Sequence, residues 1–439
     1  MNQVPPVAII GGGLAGLVAA RELTAARIPA RLYEATPELG GLARTVRDEN
    51  GFSFDFGAHF ITNRLAAELG AEDLCEVVPR YAESVVTERT TYSYPFGFAR
   101  NPRYVMSLIR ARLKGRADPT NAVEEMAALY GDEMAHDIAT PILQGWSGVA
   151  ADLLSPAVAE KMDEGILKTL WLKTVGKVTG RAITIGYTRE KPSSARVWHV
   201  YPTDGVGSLI KRLADQIGDD VIQLASPVQK IHVEDGRVTG VTVNGERSEA
   251  SAVMSTAPVH ILPRLVEGTD ALDHLSRFRY RPMVFVNLLL EGRGLIPNVL
   301  VWYTDPKLPF FRLTETPLSM PWIAPEGKTT LMADICADVG DEIWAADDEE
   351  LAKRIMEAIE PMVPDIRDRF IGSRVLRTPL AYPLFLNEYE ADRQAFARSS
   401  GVDGLYAIGR NGEFAHILME DVYWRTKQKV SQLKSYLGT

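Results

Sequence analysis

With 439 residues, 46% apolar and 24% charged, the chain has the balance of a folded globular protein, and roughly 150 residues per domain implies two or three domains. Acidic residues outnumber basic ones by 57 to 48, which argues against a nucleic-acid partner. The two cysteines, Cys75 and Cys336, give neither a disulfide framework nor metal-ligand spacing, and no apolar run reaches the ~18 residues of a membrane span.

The first residues, "MNQVPPVAII", have no basic segment leading into a long apolar stretch, so no signal peptide is expected and a reducing, cytoplasmic location fits. Val7 to Ile10 read as a short buried strand, Leu14 to Ala26 as a helix and Arg31 to Tyr33 as the next strand. Between the first two stand Gly11, Gly13 and Gly16 at the spacing G-x-G-x-x-G. In this strand-turn-helix context they permit a tight turn, close backbone approach to a pyrophosphate and close helix packing, with Leu14 and Ala15 opening the helix whose amides face the phosphates. Glu34, followed by Ala35, ends the second strand 23 residues past Gly11. An acid there accepts hydrogen bonds from a ribose with a free 2′-hydroxyl, which admits NAD or FAD and disfavours NADP.

From Ala66 to Lys191 the pattern is mostly helical, clearest in "TNAVEEMAALYGDEMAHDIATPIL". The basic run "ARNPRYVMSLIRARLKGR" reads as a solvated amphipathic helix; an anionic substrate or a membrane surface is the other partner it would suit. "DGVGSLIKRLADQIG" opens a helix over about Gly207 to Ile217. Val228 to Ser255 alternate apolar and polar residues, broken by Asp235-Gly236 and Asn244-Gly245, which predicts a three-stranded meander and a return strand at Ala252 to Ser255. Tyr280 to Thr378 carry strand patterns and one helix capped by Asp347 or Asp348. A strand at Leu405 to Ile408, a glycine turn and a helix from Met419 to Leu437 complete the pattern.

A second glycine pair, Gly40-Gly41, follows Glu34. "GGLART" followed by "GFSFDFGAH" resembles the second FAD motif of the amine oxidase, protoporphyrinogen oxidase and UDP-galactopyranose mutase superfamily. The meander with its Val228, the "STAP" strand end with Thr256, and the final strand-turn-helix fall where that superfamily keeps its discontinuous FAD domain. The resemblance implies an α/β protein. Its Rossmann-like FAD-binding domain, of glutathione-reductase type, would comprise about 1–70, 195–258 and 395–439. An interleaved α+β substrate domain would comprise a helical part, 71–194, and an antiparallel sheet, 259–394. The resemblance further implies that Gly41, Leu42, Ala43 and Arg44 follow the FAD phosphates and ribityl chain. Gly57, Ala58 and His59 would pass beside the flavin, and Gly409, Arg410, Met419, Glu420 and Asp421 would meet its far edge.

No second G-x-G-x-x-G follows a strand; Gly205-x-Gly207 has Ile210 in the third position. Electrons would therefore pass between flavin and a small-molecule substrate, then to oxygen or another acceptor, without a nicotinamide domain. Amine oxidases usually place an acid where Arg410 stands, and Gly409-Arg410, "AYPLF" and "MED" are more similar to mutases and their protoporphyrinogen oxidase-like relatives. Candidate catalytic residues on this basis are His59, Arg410, His416 and Tyr382, with Tyr389 as a further hydroxyl. Trp146, Trp198 and Trp302 read as core, and no metal is expected. The leading expectation is an FAD-dependent oxidoreductase taking a hydride from a small organic substrate onto noncovalently bound flavin. The alternatives are a non-redox isomerase of a nucleotide sugar and a non-catalytic flavin-binding protein.

Overall fold

The computed structural model describes residues 4–57, 60–88, 90–115, 118–159, 166–218 and 220–438. Val7–Ile10 lies at the middle of a five-stranded parallel sheet, between Ala30–Tyr33 and Ala252–Ser255, with Ile222–Gln223 and Leu405–Ala407 at the edges. A strand buried on both faces reads as a continuous apolar run, and VAII is one. Val7 and Ile9 face Leu17 and Leu23 of the helix Leu14–Ala25 and Leu433 of the helix Met419–Leu437. Ala8 and Ile10 face the opposite way, onto Ile231, Val238 and Val241 of the meander. Each residue's side is set by the alternation of side chains along the strand.

The meander strands are Val228–Glu234, Arg237–Val243 and Glu246–Glu249, joined in antiparallel register. Both turns hold their two residues at positive φ: Asp235 and Gly236 at 50° and 75°, Asn244 and Gly245 at 51° and 83°. That is the backbone twist a two-residue hairpin needs.

A seven-stranded sheet forms the second layer, with Tyr280–Glu291 and Phe370–Pro383 as its long strands and Lys328–Cys336 beside them. The helix Asp348–Ile359 covers it, capped by Asp347, whose side chain accepts from Glu350 N. Two differences from the sequence pattern stand out. The stretch read as helical contributes Glu83–Val86 and Thr91–Ser93 to this sheet, because Leu300–Tyr303, far along the chain, supplies their pairing edge. The helix around 122–147 is also broken at Gly131 (φ 85°), where a Cβ would stand 2.5 Å from the Ser107 carbonyl carbon. Close approach to a neighbouring helix fixes that break. Among the described residues no helix is long and apolar enough to cross a membrane.

Candidate active site

The buried strand Val7–Ile10 delivers Gly11 at φ 97°, where a Cβ would lie 2.0 Å from Thr256 Oγ1. Thr256 Oγ1 donates to the Ile10 carbonyl at 2.8 Å, so this side chain clamps the turn and is not turned out toward a ligand. A Cβ at Gly16 would stand 1.9 Å from the Gly11 carbonyl oxygen. Gly13 differs: its backbone is extended, and the nearest atom to an added Cβ is Gly40 O at 3.8 Å. Leu14 and Ala15 form the buried first turn, and no side chain caps this helix. Its leading amides therefore remain for a ligand.

Glu34 accepts from Gly12 N at 2.6 Å and from Thr36 N and Oγ1 at 2.9 and 2.8 Å. Ala35 is exposed beside it. Ser226 N donates to Glu34 O at 2.8 Å, which brings the start of the strand at Val228 alongside. Gly40 N donates to Gly12 O at 2.9 Å, and a Cβ at Gly41 would stand 3.7 Å from Gly13 Cα. The two glycine motifs thus share one lip. Ala43 is buried and Leu42 half-buried behind it; Arg44 donates through Nε to Gly41 O at 3.0 Å, with its guanidinium 5.4 Å from the Phe56 ring centre.

Sequence reasoning missed the next layer. Thr45 donates to Asp55 at 2.6 Å and accepts from Gly207 N at 3.0 Å, while a Cβ at Gly205 would meet Thr45 at 2.4 Å. The pair Gly205-x-Gly207 was its signal: it serves this contact. Burial pushes the Asp55 carboxyl up to about 7, against hydrogen bonds from Thr45 and Val206. A cleft of about 300 Å³ opens beside Arg44, Thr45, Asp204 and Gly207. Gly57 (φ 97°) packs near Phe285; Ala58 and His59 lie outside the described residues.

From the far end of the chain, Gly409 (φ 77°) rests on the first helix, a Cβ there coming within 2.8 Å of Ala15 Cβ. Met419 begins the last helix. The next two side chains turn into the protein. Glu420 is fully buried, accepting from Thr62 Oγ1 at 2.7 Å, Trp424 Nε1 at 3.1 Å and Arg64 Nε. Asp421 accepts from Thr188 Oγ1 and from Arg189 N at 2.9 Å. Both carboxylates are thus committed to the interior, and neither is left to face a cofactor.

Between the layers lies an aromatic wall. His416 sits 5.2 Å from Trp146 and 4.7 Å from Phe385, ring centre to ring centre, and Trp146 lies 5.5 Å from Tyr382. Arg410 extends 4.7 Å over the Tyr382 ring. Burial holds its guanidinium below the ordinary arginine range, Tyr382 opposing and nearby Arg312 adding to the depression; its Nε has no hydrogen-bond partner among the described residues. His416 Nε2 lies 2.7 Å from the Pro383 carbonyl, an acceptor only, so that nitrogen carries the proton. Arg312 pairs with buried Asp334 and stacks 5.1 Å over Trp302, whose indole donates to Glu83 at 2.9 Å. Burial opposes charge on both groups: it lifts the Asp334 carboxyl above the ordinary carboxylate range with Arg312 opposing, while the contact with Asp334 lifts Arg312 above its ordinary value.

Of the sequence-derived candidates, Arg410, Tyr382 and His416 therefore meet. Tyr389 does not: it is buried against Phe278 and donates to the Leu384 carbonyl. Trp146 and Trp302, read as core, do pack half-buried against the hydrophobic core, and from there they also contribute to this wall with Arg312. No local spacing announced them, because they converge from a helical segment and a sheet. Trp198 lies under Arg181 at 4.1 Å.

Behind the wall, Tyr81 contacts His199, a buried ring whose Nδ1 has no partner among the described residues. Burial lowers its pKa from 6.5 to about 4, with a hydrogen bond to Ile61 opposing. In the unfolded chain His199 takes up a proton below about 6.5, and in the folded protein only near 4, so stability falls as pH drops across that window. Expected loss is up to about 3 kcal/mol. His199→Phe should flatten urea-midpoint curves measured from pH 7 to 4; an unchanged slope would remove His199 from this role.

The family model for flavin-containing amine oxidoreductases matches residues 14–423. The chain belongs to this family. Among curated members, the dog amine oxidase [flavin-containing] A is 26% identical over 300 residues, 61% of this chain and 53% of that protein. The chain thus spans about half the length of that relative. A reduced UDP-galactopyranose mutase superposes with a TM-score of 0.78 at 19% identity, covering 99% of this chain and 94% of the other. Cyclohexylamine oxidase from Brevibacterium oxydans gives 0.72 at 16% identity, covering both chains fully. At these identities the likeness is one of fold, and it places the chain in the α/β, Rossmann-like FAD-binding architecture. FAD is the family cofactor, and the open lip between Gly13 and Gly41 with its uncapped helix fits it.

Proposed function

We propose that this family member is an FAD-dependent oxidoreductase that removes a hydride from a small organic substrate, at a C–H bond next to nitrogen or within an unsaturated system. The observation that carries this is the make-up of the wall. Trp146, Tyr382, Phe385 and His416 are aromatic, Arg312 is paired with Asp334, and Arg410 has no carboxylate against it among the described residues. That suits a largely apolar body carrying one acceptor group better than a diphosphate, which calls for several cations.

Bound FAD supplies the two-electron acceptor. The chain's own part is to hold and orient. Gly11, Gly13, Gly16, Glu34, Gly41 and Arg44 would grip the cofactor, with backbone from Val228, Gly409 and Met419. The segments 1–70, 195–258 and 395–439 would form its domain, and neither cysteine would link to it covalently. Arg410 would anchor the substrate's acceptor group, while the rings exclude water and present the reacting carbon.

Purified protein should be yellow, and anaerobic mixing with amines or porphyrinogens should bleach the flavin, oxygen or another acceptor restoring it. Arg410→Met should stay yellow yet lose about 10- to 100-fold in kcat/KM, the worth of one charged hydrogen bond. A second reading, isomerisation of a nucleotide sugar, is favoured by the buried Arg410 itself. It requires ring interconversion after chemical reduction without net electron flow. That result, with no bleaching by any reducing substrate, would overturn the oxidoreductase reading; protein that binds FAD and does neither is a binding module.

A further inference from the structure

The helix Pro102–Lys114 carries its apolar residues outward. Its inner side rests on the protein through buried Tyr104 and Ser107, the latter pressed by Gly131 of the neighbouring helix. At about 100° per residue, Met106, Ile109 and Leu113 fall on the side away from Tyr104 and Ser107. All three are exposed, Leu113 to 82%. Arg110 and Lys114 flank the stripe on one side and Arg112 on the other.

A second helix, Ile166–Thr179, repeats the arrangement. Leu172 is buried, while Leu170, Trp171 and Val178 face solvent, Val178 to 83%. Lys173 ties it to the segment leading into the first helix, donating to the Tyr94 carbonyl at 2.9 Å and lying 5.8 Å from the Phe96 ring. Phe98 in turn packs on Tyr104. Residues 100–115 contain five basic side chains and no acidic one, and residues 166–179 contain three and none, in a chain whose net charge is −9.

We propose that this face docks on the surface of a bilayer containing anionic lipid, with Ile109, Leu113, Trp171 and Val178 entering the interface and the flanking arginines and lysines among the headgroups. Apolar and cationic groups combined in this way are what an interfacial helix requires. A dissolved anion would satisfy the charges but leave the apolar stripe in water. A second copy docked through the same face would set its cations against an identical set.

The test is co-sedimentation of the FAD-loaded full chain with vesicles of phosphatidylcholine, with and without phosphatidylglycerol. Binding to the mixed vesicles should exceed binding to phosphatidylcholine alone by at least about tenfold and weaken as salt rises. Leu113→Asp with Val178→Asp, and separately Arg110→Glu with Lys114→Glu, should each reduce it at least about tenfold. The flavin spectrum and circular dichroism should not change, which shows the variants folded. Wild-type protein left in the supernatant, variants that bind like wild type, or a dimer broken by Leu113→Asp in protein that ignores vesicles would each overturn the proposal.

Discussion

Gly16→Ala is expected to yield protein that neither folds stably nor holds FAD, whereas Gly13→Ala should fold normally and come out colourless. The two glycines stand three positions apart in one motif, and their surroundings separate them. A Cβ at Gly16 would meet the Gly11 carbonyl oxygen at 1.9 Å, and that neighbour is backbone anchored to the central strand. Forcing it aside costs about 1–3 kcal/mol or more and displaces the whole turn. At Gly13 the backbone is already in a region open to alanine, and nothing of the protein lies within 3.8 Å of the added carbon. What the methyl group occupies is the lip shared with Gly41, so the loss should fall on cofactor affinity, at least about 100-fold or some 2.7 kcal/mol. Thermal melting of the apoprotein and FAD titration by visible absorption distinguish the two. Gly13→Ala protein that binds FAD as tightly as wild type would place the cofactor elsewhere.

Glu420→Ala should be the most damaging change outside the glycine turn. The carboxylate is fully buried and ties the last helix to Thr62 and Arg64, with Trp424 as a third donor. Removing it strands a hydroxyl and a guanidinium in the interior. Since Arg64 retains some exposure, the expected cost is about 2–4 kcal/mol, below the full figure for a broken buried pair. Glu420→Gln keeps an acceptor for Thr62 or Trp424 and should cost clearly less. The same helix is held to the first one through Arg21, which donates to Tyr423 Oη at 3.0 Å. FAD retention should therefore fall together with stability in the alanine variant, read as flavin released per protein during gel filtration across a urea series. Unchanged stability in Glu420→Ala would show that this network carries no load.

The parts of this molecule that were legible in the sequence are those whose constraints are local. The first glycine turn must be glycine because a carbonyl and a threonine leave no room for a Cβ, and the meander announces itself through Asp235-Gly236 and Asn244-Gly245, whose positive φ few other dipeptides accept. The wall was not legible. Trp146, Trp302, Arg312 and Arg410 have no common spacing; one helix, a sheet and the final turn bring them together. The helix at 102–114 shows the same limit from another side. Its composition revealed an amphipathic helix, but Tyr104 and Ser107 face inward while Ile109 and Leu113 face out, because Gly131 lets the neighbouring helix press on Ser107. Composition cannot specify which stripe a neighbour will choose.

The order of strands in the parallel sheet constrains how the newborn chain matures. Ile10 accepts a hydrogen bond from Thr256, 246 residues later, and the sheet is finished only by Leu405–Ala407. At ribosomal rates of about 5–20 residues per second, the first strand waits roughly ten to fifty seconds for its inner neighbour. Throughout that interval VAII has Ala30–Tyr33 on one side only and its other edge is bare, the kind of unpaired strand edge that invites wrong pairing. Flavin held in the proposed way is consequently captured only after Gly409 and Met419 have been made.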